Sequence, residues 1–477
     1  MDDAGTHAQP TRRKDGRDAA RNPLRIAIVG SGPAGFYAAQ ALLRSGRQLT
    51  VDVLDRLPVP YGLVRHGVAP DHQKLKSVTT LFEKVGRSDN FSFRGNVTVG
   101  RDVSIADLKD THHAVVLAYG AATGRSVGID GENLPGSLSA TEFVGWYNGH
   151  PDYRDLDVAL DTSAAVVLGH GNVAVDVARI LAKPAPALAS SDIAAHALDA
   201  LGNSRIREIH IVGRRGPVQS KISPKELREL GGLEDCDVTV RPDELALNSE
   251  SRAELDDPRA EEAQRRLQLF ESFAIPSRGS VARRIEFRFL SSPVAIDGDT
   301  RVRGIMLERT RLCGKPFSQH AEGTGEHYRL EAGLVIRSIG YSGLPIDDGV
   351  PFDVDRGIVP NVDGRVMSRG TPLPGLYCTG WIARGPRGLI GDNREHGVRT
   401  AKNVLEDFPE DATRDARPGI AAIDRLLAAR GIRSVCMDGW RRIDESERGR
   451  GQRLGKPREK YTCIEEMLEH AAEPARS

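Results

Sequence analysis

The chain has 477 residues, too many for one hydrophobic core, so two or three domains are expected. Lys+Arg and Asp+Glu each number 66, which leaves no overall charge to draw nucleic acid. No apolar stretch approaches the ~18 residues that membrane insertion requires, and 39% hydrophobic residues with 50 glycines read as an α/β protein.

In chain order, residues 1–23 are polar, carry both charges and lack an apolar h-region. They are expected to form a disordered tail rather than a secretory signal, and their aspartates argue against a transit peptide. The apolar run Arg25-Ile-Ala-Ile-Val29 then feeds Gly30-Ser-Gly32-Pro-Ala-Gly35, which opens a helical pattern. A strand, a tight turn and a helix N-terminus in this order bring backbone N–H groups up to a pyrophosphate. About twenty residues further on, where an acid is expected to hold a ribose hydroxyl, the strand Leu49-Thr-Val-Asp-Val-Leu54 ends in Asp55. Its charge repels a 2′-phosphate, so this site suits FAD or NAD rather than NADP.

A second fingerprint, Gly169-His-Gly171-Asn-Val-Ala174, follows the apolar run Ala165-Val-Val-Leu168. The next strand pattern, Glu208-Ile-His-Ile-Val212, ends in Gly213-Arg214-Arg215-Gly216-Pro217. Two guanidinium groups replace the acid here and suit a phosphate dianion, which points to NADPH. Two different dinucleotides in one chain imply electron transfer between them.

The remaining chain supports a discontinuous plan. Ala114-Val-Val-Leu117 closes the first unit, taken as 24–121. Residues 122–340 form the NADPH-binding unit, with a Pro/Ala stretch at 183–189, a charged and solvated helix over 251–273, and strands at 284–290 and 304–308. Val335-Ile-Arg-Ser-Ile-Gly-Tyr341 marks the return crossover to 341–477, where a Gly-rich turn leads into a helix expected over 389–405. The fold class is therefore α/β with two Rossmann-like dinucleotide-binding domains, the FAD domain discontinuous around an inserted NADPH domain. Five scattered cysteines without a Cys-x-x-Cys pair argue against a dithiol relay, an iron–sulfur cluster or a zinc ribbon, and fit a reducing cytoplasm.

Taken together, these motifs resemble the adrenodoxin reductase-type ferredoxin–NADP⁺ reductases, FAD flavoproteins of the glutathione reductase superfamily. The stretches that carry the resemblance include Leu57-Pro-Val-Pro-Tyr-Gly-Leu-Val-Arg65, Gly67-Val-Ala-Pro-Asp-His72, Asp176-Val-Ala-Arg179, Lys225-Glu-Leu-Arg-Glu229 and Gly380-Trp-Ile-Ala-Arg-Gly-Pro386. The resemblance implies hydride transfer from NADPH to FAD, then single-electron transfer to an acidic, transiently bound ferredoxin-type iron–sulfur protein. It implies that Gly30, Gly32, Gly35, Asp55, Leu63, Val99, Trp381, Gly388, Leu389 and Ile390 contact FAD. It also implies that Arg125, His170, Gly171, Asn172, Val173, Arg214, Arg215, Glu226 and Gly388 contact NADPH, with His72 and Glu229 near the flavin and nicotinamide as catalytic candidates.

The chain departs from the family pattern in four places. Asp55 stands for Glu, His170 for a smaller polar residue, Ser220-Lys-Ile-Ser223 for an Ala/Phe-rich segment, and Arg387 for Thr. Read without the family, His72 is as well explained structurally as by a proton relay, with Asp71 an N-cap for the following helix. Arg265, Arg266, Arg283 and Arg284 either steer an acidic partner or form a solvated basic face. An alternative reading keeps both cofactors and makes the acceptor a quinone or another small molecule.

Overall fold

A computed structural model describes residues 22–275, 281–410 and 414–472. The tail expected over 1–23 therefore lies almost wholly outside the described residues.

Two sheets dominate, one mixed and one parallel. The first orders its strands as Asn361–Val362, Arg365–Ser368, Thr371–Cys378, Ala114–Leu117, Leu24–Val29, Leu49–Leu54 and Phe91–Arg94. In its five-strand parallel part the central strands Leu24–Val29, Leu49–Leu54 and Ala114–Leu117 are almost wholly buried and mostly apolar, whereas Phe91–Arg94 at the edge alternates buried and half-buried residues. Strands from both ends of the chain share this sheet, which makes the first domain discontinuous. Val29 pairs with both Leu54 and Leu117, so Gly30, Asp55 and Ala118 emerge side by side at its carboxyl edge. That edge is where an open α/β sheet binds its ligand.

The second sheet is wholly parallel, in the order Ser137–Ser139, Leu334–Arg337, Ala164–Leu168, Glu208–Val212, Arg283–Arg288 and Cys236–Val240. An antiparallel meander, Ser291–Asp297, Gly304–Cys313 and His320–Glu331, packs Ile296, Ile305 and Leu307 against Val166, Leu168 and Val212. The chain leaves and re-enters the first sheet through a short antiparallel pair, Thr123–Gly124 with Tyr341–Ser342. The C-terminal helices return to the first core, where Trp440 meets Tyr61 edge-on at 5.6 Å.

Several local expectations shift. The 251–273 segment is two helices, Ser249–Leu255 and Glu261–Phe273, interrupted at Pro258, which starts a 3₁₀ turn capped by Asp257. It is not simply solvated, because Arg266 and Phe270 are buried. The helix expected from 389 starts later, at Asp392, and runs to Asp407; before it, Gly388 holds a left-handed φ of +81° and the Asp392 carboxylate accepts the Leu389 N–H, closing a turn over 389–391. Leu334–Arg337 ends before Gly340, and the Pro/Ala stretch carries one short turn of helix, Ala185–Leu188.

Candidate functional site: two dinucleotide cradles and the ion cluster between them

In the first glycine turn, a Cβ on Gly35 would stand 2.1 Å from the Gly30 carbonyl oxygen, so helix and strand touch only because residue 35 is glycine. At Gly30, which holds φ +107°, a Cβ would likewise stand 2.6 Å from the Ala118 carbonyl oxygen. Gly32 differs: a Cβ there would meet nothing within 4 Å. The space beside Gly32 is thus open, and the helix Pro33–Leu43 starts from it without a side-chain cap. Uncapped first-turn N–H groups facing an open cradle suit a pyrophosphate. The second turn repeats the pattern: a Cβ on Gly169 would stand 2.2 Å from the Ser338 carbonyl oxygen, the space beside Gly171 is open, and the helix Asn172–Ala182 is uncapped.

The flanking side chains separate the two cradles. Asp55 Oδ2 accepts from the Ser31 N–H at 2.8 Å and from its hydroxyl at 2.6 Å, while Oδ1 accepts from Leu57 N–H at 3.0 Å. In the second unit, Gly213 occupies the position that Asp55 holds in the first, one residue past the strand. His170 replaces Ser31. Its ring fills the place of the missing carboxylate, with Nε2–H donating to the Ile211 carbonyl at 3.1 Å and the ring centroid 4.6 Å from that of Phe289. A Cβ on Gly213 would stand 2.4 Å from His170 Nδ1. Burial pushes the His170 pKa down to about 4, which keeps the ring neutral. Its side chain therefore faces inward, leaving only its backbone at the turn. Arg214 is exposed and Arg215 half-buried, and neither guanidinium has an ion pair or hydrogen bond among the described residues. Burial and the neighbouring Arg214 lower the Arg215 pKa.

The remaining expected contacts fall on the rims. A Cβ on Gly62 would stand 3.1 Å from Gly32 Cα, so the loop before Leu63 crosses the first turn directly. Leu63 opens the short helix Leu63–His66, and Val99 is buried beneath the same edge near Leu54. Trp381 begins a one-turn helix, packs at 5.3 Å on Tyr341, and keeps a buried Nε1–H without a partner. Gly388 leaves no room for a Cβ beside Asp392, whose carboxylate takes the Leu389 N–H at 2.6 Å. Leu389 itself is 70% exposed, and Ile390 is half-buried. An unpartnered indole N–H, an exposed leucine and the open space at Gly32 all fit a flavin dinucleotide. Asn172 accepts the Ser223 N–H at 2.8 Å, and Lys221 N–H donates to His170 O, so the atypical 220–223 segment lines the second turn. Val173 is half-buried behind it, and Arg125 reaches the Tyr341 carbonyl at the crossover.

His72 and Glu229, 157 residues apart, meet: Nε2 stands 3.0 Å from Oε1. His72, not Asp71, is the N-cap of its helix, and it makes no side-chain cap bond. Asp71 instead binds Arg179 and Lys183. Arg179 is fully buried and joins Asp71, Asp176 at 2.6 Å and Glu229 at 3.5 Å. Burial pushes the Asp71 carboxyl up, but Arg179 and Lys183 outweigh it and hold the carboxyl low. Burial raises the carboxyls of Asp176 and Glu226, which face one another. Arg179, Asp176 and Asp71 were not singled out as site residues. The signal was an i,i+3 acid–base pair on an otherwise apolar helix. Arg266 leaves the set of surface arginines, since it is buried and donates to the Val218 and Ile222 carbonyls.

Two open glycine cradles, one beside an acid and one beside two free arginines, with a histidine–carboxylate pair between the units, define an NADPH-dependent FAD oxidoreductase. The comparisons agree. Residues 24–230 match the pyridine nucleotide-disulphide oxidoreductase model. The chain is 43% identical to the mitochondrial NADPH:adrenodoxin oxidoreductase of Arabidopsis thaliana over 95% of this chain and 96% of that one. It is 42% identical to a probable ferredoxin/ferredoxin–NADP reductase of Mycobacterium tuberculosis, over 94% of this chain and 76% of that one. The structure of Mycobacterium tuberculosis FprA in complex with NADPH superposes with a TM-score of 0.88 at 40% identity, covering 94% of this chain and 99% of that one. The chain belongs to the family of NADPH:adrenodoxin oxidoreductases and ferredoxin–NADP reductases.

Proposed function

We propose that this protein is a ferredoxin–NADP⁺ reductase that takes hydride from NADPH and delivers single electrons to an acidic, transiently bound ferredoxin-type iron–sulfur protein. The observation that carries the reading is the opposite dressing of two equivalent turns: a carboxylate at Asp55 and unpaired guanidinium groups at Arg214 and Arg215. Bound FAD supplies a two-electron acceptor that can release electrons one at a time. The chain's own work is binding, orientation and exclusion of water. Gly30, Gly32, Gly35, Asp55, Leu63, Val99, Trp381 and the 388–390 turn hold the flavin dinucleotide. Arg125, the backbone of 170–173, Arg214, Arg215, Glu226 and Gly388 hold NADPH. The His72–Glu229 pair orients polar groups at the junction, and Arg179 fixes the pair by binding Glu229 and Asp71 together. The units that do this are 24–121 with 341–477, and 122–340.

No helix among the described residues is long and apolar enough to cross a membrane. We place the protein in the cytoplasm, a reading supported by five free cysteines that form no disulfide. Mixing the holoprotein with NADPH or NADH in a stopped-flow instrument, then measuring cytochrome c reduction with and without ferredoxin, tests the whole reading. Fast bleaching by NADPH only, with ferredoxin-dependent cytochrome c reduction, is expected. Bleaching without ferredoxin dependence moves the acceptor to a quinone or another small molecule.

A further inference from the structure

The junction cluster carries more negative charge than its cations balance. Asp71, Asp176, Glu226 and Glu229 supply four carboxyl groups, against Arg179 and Lys183. Glu226 is only 8% exposed, yet its Oε2 is buried with no hydrogen-bond partner, an expensive position for a carboxylate oxygen. His72 Nδ1 lies 3.9 Å from Asp176 Oδ1, and ligand atoms of His72, Asp176 and Glu226 all lie within 4.8 Å of one another. The other ring nitrogen of His72 is held by Glu229 at 3.0 Å. A carboxylate on one imidazole nitrogen fixes the tautomer that offers the other nitrogen's lone pair, the arrangement usual behind metal-bound histidine.

We propose that His72 Nδ1, Asp176 and Glu226 form an inhibitory binding site for a divalent transition-metal cation of the zinc type, with Glu229 as the group that orients His72. One imidazole and two carboxylates leave a fourth tetrahedral position open. An imidazole ligand favours zinc-type ions over magnesium or calcium, and two positive charges neutralise the surplus of the cluster. Tetrahedral zinc ligands stand roughly 3.4 Å apart, so the three side chains close inward by up to about an ångström on binding. The site rests on the proposed reading in one respect: Glu226 is a contact of NADPH, so the cation and NADP⁺ exclude one another. Zinc then acts as a reversible brake on entry of NADPH.

The test is calorimetric titration of the FAD holoprotein with Zn²⁺, alone and saturated with NADP⁺, beside the Asp176→Asn and Glu226→Gln holoproteins. One zinc per chain is expected, weakened at least tenfold in each variant and displaced by NADP⁺. Zinc binding of equal strength in both variants, or none, overturns the site. Zinc binding that the variants weaken but NADP⁺ does not displace keeps the metal site and overturns its role as a brake on NADPH entry. Should a variant fail to fold, crystals of the wild-type holoprotein soaked in Zn²⁺ decide the matter. An anomalous peak among His72, Asp176 and Glu226 supports the site, and peaks only elsewhere refute it.

Discussion

The two glycine turns share a backbone plan, and two of the positions at which they differ, Ser31/His170 and Asp55/Gly213, face one another across the turn. In the first, Ser31 inside the turn donates twice to Asp55 at the strand end. In the second, His170 inside the turn fills the space over Gly213 and leaves Arg214 and Arg215 free beyond it. The lesson is that cofactor choice is set by a linked pair of positions rather than by the glycines. A carboxylate at the strand end needs a small donor in the turn, whereas a large ring in the turn requires glycine at the strand end.

The largest expected effect breaks the symmetry of the glycines themselves. Gly35→Val should cost about 3 kcal/mol or more, because its Cβ has no place beside the Gly30 carbonyl, and thermal melts should show unfolded or unstable protein. A Cβ at Gly32 meets no protein atom within 4 Å, so Gly32→Ala should fold with near-wild-type Tm and Gly32→Val should lose its yellow colour. Gly171→Val should stay yellow and lose NADPH reduction. If Gly32→Val retains flavin, the first cradle is misassigned.

Next comes the arginine pair. Arg214→Ala with Arg215→Ala should raise KM for NADPH about 10²- to 10⁴-fold, since each charged hydrogen bond contributes roughly 1.5–3 kcal/mol, with NADH little changed. An equal loss for both cofactors would remove the pair from 2′-phosphate recognition.

A transplant sharpens the linkage. Gly213→Asp alone should destabilise the second unit, because its side chain meets the His170 ring. Adding His170→Ser should restore the Tm and lower the NADPH:NADH preference about tenfold or more, the scale of one repelled or lost charged contact. Steady-state kinetics with both cofactors reads this directly.

The smallest effect is in pH. The folded His170 pKa, about 4, lies below its ordinary value near 6.5. Its contribution to stability is therefore complete above pH 6.5 and is lost as pH falls toward 4. His150, also lowered to about 4 by burial, adds to the same acid window. His170→Asn should flatten the Tm–pH curve between pH 6.5 and 4, whereas a Ser31→Ala variant should leave its slope unchanged.

Sequence by itself determined the two cradles, because strand, turn and helix are contiguous and their geometry follows from local spacing. It placed Gly30, Gly32, Gly35 and Asp55 together, and Arg214 and Arg215 at the right strand end. It also indicated that the first sheet takes strands from both ends of the chain. Register and packing decided the rest. The inward turn of His170 depends on the space over Gly213, which follows the end of a neighbouring strand. The burial of Arg266 depends on how its helix packs on the 218–222 segment. The cluster of Asp71, His72, Asp176, Arg179, Glu226 and Glu229 draws on three helical segments from two units. No local spacing encodes such a meeting. It forms because burying Arg179 in an apolar helix requires carboxylates from both sides, and only the docking of the two units supplies them.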